Sequence, residues 1–211
     1  EGKRAETEAE LLAAIELDPD YLPAYSAYAA ILAGRNEIPR AIDEYKKVIA
    51  ARPSASIYTM LGILEDARGN TAEAEKNYRA AIELSPNSPV AANNLAWLIA
   101  ESQGNLDEAL SLASSSVSGD QTVAAYYDTL GWVYLKKGLY SPAVEQIRKA
   151  IAIDERSGKA ATAGYRVRLA TALAMAGDKA SARREVETSL RSEGELSQQE
   201  VVDAKKVLAS L

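Results

Sequence analysis

Apolar residues recur at three- and four-residue intervals in segments of roughly a dozen residues, separated by short gaps rich in glycine, proline and polar side chains. That period belongs to amphipathic helices, not to strands. The spacing predicts first helices over 22–33, 55–67, 88–102, 123–136 and 161–176, each followed by a second helix over 38–51, 72–84, 106–117, 141–153 and 179–191. A further helix at 5–17 precedes them, and one at 197–210 closes the chain with Val201, Val202, Ala204, Val207 and Leu208 on its inner side. The turns inside the pairs hold Gly34–Asn36, Gly69 with Asn70, Gly104 with Asn105, Gly138, and Gly177 with Asp178. Glycine there suits a left-handed helix cap, and turns this short force each pair antiparallel.

Between pairs, Pro19 and Pro53 stand 34 residues apart and Pro86 follows after 33 more. The stretches "NLAWLIAESQGNLDEAL" and "TLGWVYLKKGLYSPAV" repeat one arrangement without the proline. A fixed period of this size predicts stacked helical hairpins, each burying its apolar face against its neighbours. The expected organisation is a single all-α solenoid over 1–211: a half repeat at 1–18, repeats at 21–53, 55–86, 88–120, 123–155 and 160–193, and a capping helix at 196–211. The helix at 5–17 reads as a second helix without its partner, which predicts an array continuing upstream. Its Leu11, Leu12 and Ile15 then form an uncapped edge through which copies could self-associate. An extra residue near Ser102–Gly104 and a longer linker near Arg156–Ala160 are expected to be absorbed as loop.

Composition narrows the chemistry more than the fold. The chain has no cysteine and no histidine, so it lacks a thiolate nucleophile, an imidazole base and the usual zinc ligands. No metal or cofactor is expected. Residues 1–155 carry 14 basic and 23 acidic side chains, residues 156–211 carry 10 and 7, and the whole has a net charge of −6. A net acidic chain without a basic, aromatic-laced stripe argues against nucleic acid as partner. No window approaches the roughly 20 apolar residues of a membrane span. The serines at 114–116 read as a frayed helix end, since no base accompanies them. Lys136 and Lys137 read as charges complementing a helix C-terminus.

The repeats resemble the tetratricopeptide-repeat family. The fourth unit carries Tyr127, Leu130, Gly131, Tyr134, Ala143 and Ala150 in the family's register, with Ile147 in place of the second-helix aromatic. The second unit carries Tyr58, Leu61, Gly62, Ala74, Tyr78, Ala81 and Pro86. The first carries Tyr25, Ala41, Tyr45 and Pro53, with Tyr28 and Ala29 replacing Leu-Gly. The third and fifth put Ala113 and Val186 at the aromatic position. The resemblance implies a right-handed superhelix and a scaffold whose concave face, lined by first helices, grips a peptide or partner protein. The carboxylate clamp of chaperone-binding members is not implied: Pro23, Ala27 and Met60 occupy the corresponding places, and Asn94 with Arg168 does not complete it. The phrases "NNLAWLIAE" and "DTLGWVYLKKG" look like bacterial members, cytoplasmic or periplasmic, some serving exopolysaccharide synthesis or export.

Helix geometry locates the expected site. At 100° per residue Tyr127, Leu130 and Tyr134 share one stripe, while Trp132 lies about 200° from Leu130 and Trp97 about 200° from Leu95. Both indoles are therefore predicted on the concave wall, one per consecutive hairpin. Val90, Asn93, Asn94 and Glu101 accompany Trp97; Ala125, Asp128, Thr129, Leu135 and Lys136 accompany Trp132. Flanking hairpins add Thr59, Ile63 and Asp66 on one side and Val167, Arg168 and Thr171 on the other. The expected function is a non-enzymatic scaffold holding a partner segment on these residues, with tryptophan as anchor. The alternative is a carbohydrate-binding module of an exopolysaccharide system, because flat indoles also stack on sugar rings. Catalysis ranks behind both: Glu101 and Asp128 share an open wall, not a closed pocket suited to acid–base work.

Overall fold

The computed structural model describes residues 2–19, 21–35, 37–157 and 163–211. Among the described residues all regular structure is helical: α1 (Gly2–Leu17), α2 (Leu22–Ala33), α3 (Ile38–Ala51), α4 (Ala55–Ala67), α5 (Thr71–Leu84), α6 (Pro89–Glu101), α7 (Leu106–Gly119), α8 (Ala124–Lys136), α9 (Tyr140–Arg156), α10 (Ala163–Met175), α11 (Lys179–Arg191) and α12 (Gln198–Ser210). This is the all-α fold of successive antiparallel hairpins that the 34-residue period predicts. The chain forms two compact units, Glu1–Leu95 and Ala96–Leu211.

In the first unit α2 pairs with α3 and α4 with α5, while α1 packs on α2. Its core holds Ile15, Tyr25, Tyr28, Leu32, Ile42, Tyr45, Ile57 and Leu61, all buried. Where other repeats place Leu-Gly, Tyr28 fills the space. Its ring lies 5.9 Å from that of Tyr45, which meets Tyr25 edge-on at 5.2 Å. The Tyr45 hydroxyl donates to the Tyr25 carbonyl at 2.7 Å, which satisfies a phenol buried among apolar groups. In the α4–α5 hairpin Gly62 lets the Tyr78 ring lie against the helix backbone, in space that a Cβ would need. The expected open edge on α1 is corrected at Ile15 alone. Ile15 is fully buried under the hairpin that follows, whereas Leu11 and Leu12 pack on the same core but stay half-buried.

In the second unit α8 pairs with α9 and α10 with α11; α7 lies on α8, α9 on α10, and α12 on both α10 and α11. One apolar cluster joins Ala143, Ile147, Ile151, Leu169 and Leu173; another joins Val167, Ala170, Val186, Ala204 and Val207. The second seats α12, whose expected inner side is right at Ala204, Val207 and Leu208 but not at Val202, which is 46% exposed.

Several expected boundaries shift for local reasons. The serines at 114–116 lie inside α7, where Ser116 Oγ donates back to the Ala113 carbonyl and Ser118 Oγ to that of Ser114. α9 runs to Arg156, past the expected end at 153, since nothing in "IDER" breaks a helix. Part of the long fourth linker, residues 158–162, and Asn36 of the first turn lie outside the described residues. Gly69, Gly138 and Gly177 adopt the expected positive φ, but Gly34 is right-handed at φ −62°. In the third turn the left-handed position falls on Gln103, at φ 55°, because the extra residue displaces Gly104 by one.

Candidate functional site

Three first helices and the closing helix of the second unit wall one cavity of about 680 Å³. α6 contributes Trp97 and Glu101, α8 contributes Trp132 and Lys136, α10 contributes Val167, Arg168 and Thr171, and α12 with its cap contributes Ser197, Glu200, Asp203 and Val207. The indoles of Trp97 and Trp132 stack on each other, with centroids 5.8 Å apart and planes 24° from parallel. Both are half-buried, so neither turns out to solvent and neither is sealed in the helix layers.

The polar groups around the stack are fixed by it. Trp132 Nε1 donates to Glu101 Oε1 at 2.5 Å. Lys136 Nζ lies 4.5 Å from the Trp132 ring centroid and 3.6 Å from the same carboxylate, a cation held by a π face and a counter-charge together. The Arg168 guanidinium lies 5.4 Å from the Trp97 centroid and 5.6 Å from that of Tyr165. It is locked from behind by Asp128, with Nε on Oδ1 at 2.9 Å and Nη2 on Oδ2 at 2.8 Å, and Nη1 reaches Glu200 Oε1 at 3.3 Å. Burial pushes the Asp128 carboxyl above its usual range, and Arg168 offsets that only in part.

Glu200 serves two structures at once. Its Oε2 accepts from the backbone N–H and hydroxyl of Ser197, closing a capping box at the start of α12, while Oε1 faces Arg168. Gly164 permits this approach, since a Cβ there would strike the Glu200 carboxylate. Burial opposes ionisation of Glu200, but the Ser197 bonds and Arg168 outweigh it and lower its pKa. For a lowered carboxylate, the stabilisation is complete above the unfolded value and is lost as pH falls through the folded one. Glu200→Gln is therefore expected to melt below the wild type near pH 7. The difference should vanish at pH values under the ordinary glutamate range, as followed by circular dichroism. A constant difference across that range would mean that the charge is not what holds α12.

Of the residues expected at the site, the structure brings Trp97, Glu101, Trp132, Lys136, Val167, Arg168 and Thr171 to one cavity. Asp128 stands behind Arg168 and, like Thr129, is buried at 4% exposure, out of reach of a ligand. Leu135 is corrected: it packs on the core with Ile147 and Leu169. Ala125 is exposed away from the lining. Thr59, Ile63, Asp66, Val90, Asn93 and Asn94 belong to the first unit. There Thr59 is buried and donates to the Ala55 carbonyl, Ile63 packs on the core, Val90 is half-buried and Asp66 exposed, and Asn93 Nδ2 donates to Asn94 Oδ1 at 3.2 Å. The contribution of α12 was missed by the sequence reading. The Ser197–Glu200 cap was legible as S-x-x-E, but not its second partner. Among the described residues no cluster of metal-ligating side chains occurs, and no helix is long and apolar enough to cross a membrane.

Residues 59–122 and 124–157 each match tetratricopeptide-repeat family descriptions. Over these two stretches the chain is built of tetratricopeptide repeats. A small glutamine-rich tetratricopeptide repeat-containing protein 2 from Mycosarcoma maydis is 35% identical over 95 residues, covering 42% of this chain and 27% of that protein. The chain thus spans about a quarter of that relative's length. Among solved structures, the Cut9–Hcn1 hetero-tetramer of APC/C superposes with a TM-score of 0.75 at 18% identity, over 98% of this chain and 40% of that one. YrrB, described as a TPR protein with an unusual peptide-binding site, superposes with a TM-score of 0.63 at 17% identity, over 93% and 97%. Tetratricopeptide repeats are scaffolds for protein–protein interaction, and the repeat at 124–157 carries both Trp132 and the Asp128 that anchors Arg168.

Proposed function

We propose that the second unit holds a segment of a partner protein in the cavity walled by α6, α8, α10 and α12, with the Trp97–Trp132 stack as apolar anchor, and that it does so without catalysis. The observation that carries this reading is the stack itself: two half-buried indoles on consecutive first helices, lining a cavity large enough for several side chains. Tryptophans so placed are characteristic interface anchors. The peptide-binding site described for YrrB supports a peptide as ligand. A carbohydrate is less favoured, because each indole is already engaged by the other and by a cation, which leaves less flat surface for a sugar ring.

The test is selection of a displayed random-peptide library on the full chain, with a glycan array in parallel. Peptides selected by the wild type are expected to bind Trp132→Ala and Trp97→Ala about 10-fold or more weaker, while the melting temperature falls by only a few degrees. Glycan binding at these residues without peptide binding would replace the reading. Unfolding of both single variants would reduce the indoles to packing.

A further inference from the structure

The same cavity carries a charge pattern that selects among peptides, and the inference drawn from it rests on the peptide reading above. Six charged side chains line it: Lys136, Arg168 and Lys206 against Glu101, Glu200 and Asp203. Arg168 is not available as a cation, because the buried Asp128 carboxylate holds it by two bonds from behind. With that pair cancelled, three carboxylates face two lysines, and the wall is left acidic by one charge.

The structure also shows what a cation does there. Lys136, the last residue of α8, swings its ammonium over the Trp132 ring and beside Glu101, although its side chain is 26% exposed and hydration competes for it. Trp132 Nε1 bonds the same carboxylate, so indole and counter-charge are fixed together whether or not the ammonium is present. The seat is thus built from parts other than Lys136. A lysine or arginine arriving on a partner segment meets the same π face and the same carboxylate, in a cavity where a bound chain excludes water and strengthens both contacts.

We infer that the bound segment supplies a basic side chain, which takes the seat over Trp132 against Glu101 and sends Lys136 into solvent. Lys136 is then a competitor built into the site, and its removal strengthens binding. An acidic ligand requires the reverse, since Lys136 would then be one of its few partners.

Three sets of displayed peptides, enriched in lysine and arginine, in aspartate and glutamate, or in uncharged residues, test this on the full chain. The basic set is expected to bind best, and to weaken as salt is raised because the pairs are only partly buried. Lys136→Met is expected to tighten binding of the basic set about 2- to 5-fold, and Glu101→Gln to weaken it by a similar factor. Lys136→Gln adds no apolar surface and should reproduce the gain, which separates charge competition from greasier packing. Melting curves of all three variants confirm the fold. Preference for the acidic set, or weaker binding by both Lys136 variants, overturns the inference while leaving a peptide site in place. Absence of binding by any set, or binding indifferent to Trp132→Ala, removes the peptide reading and this inference with it.

Discussion

Replacing Arg168 with methionine is expected to destabilise the chain by about 3–5 kcal/mol, the usual cost of stranding one member of a buried ion pair. Asp128 is 4% exposed and sits on α8 with both oxygens turned to the guanidinium, so without Arg168 it is a buried carboxylate with no counter-charge. Glu200 loses its interhelical partner in the same step, which loosens α12 as well. The methionine keeps much of the apolar stem, so lost packing is a small part of the effect. Urea unfolding followed by tryptophan fluorescence reads the right region, because both tryptophans lie in the second unit. Arg168→Met with Asp128→Leu is expected to recover most of the loss, since removing both charges removes the desolvation cost along with the attraction. A single variant within about 1 kcal/mol of wild type, or a double variant no better than the single, would contradict this account.

Gly131→Ala is the second large effect, expected at about 1–3 kcal/mol despite the better helix propensity of alanine. A Cβ at 131 would lie 2.5 Å from Ile147 Cγ1 and 3.2 Å from both the Ala143 carbonyl oxygen and the Ile147 nitrogen. The side chain can rotate away, but the two backbone atoms of α9 cannot, so the hairpin has to open. Ile147→Ala alone is expected to cost about 2–4 kcal/mol, since it empties a fully buried position. The double variant should cost less than the two singles combined, because the new methyl enters part of the space the isoleucine leaves. Strict additivity in urea melts would show that the two residues do not share that contact.

The legible part of this protein was what repeats. Helix positions and hairpin pairing follow from apolar spacing and a 34-residue period, which are properties of single elements and their nearest neighbours, while Gly62 and Gly131 stand out through the resemblance to the repeat family. The wheel calculation also set Trp97 and Trp132 apart from the Leu95 and Leu130 core positions, because the angle between residues on one helix needs no tertiary information. It failed at Leu135, whose wheel angle resembles that of the tryptophans but which packs on Ile147 and Leu169 at the end of α8.

What the tertiary structure decided is which side chains meet. That Trp97 and Trp132 stack on each other, that Arg168 is consumed by Asp128 forty positions earlier, and that Glu200 of the closing helix forms the opposite wall all depend on contacts between different hairpins. A periodic pattern states that each face is buried against a neighbour, but it does not give the rotamers and offsets at which long side chains from separate helices touch. The amino-acid sequence by itself thus determined a tetratricopeptide-repeat scaffold and its two indoles. Only the packing of α6, α8, α10 and α12 around them decided the shape and the charge of the cavity.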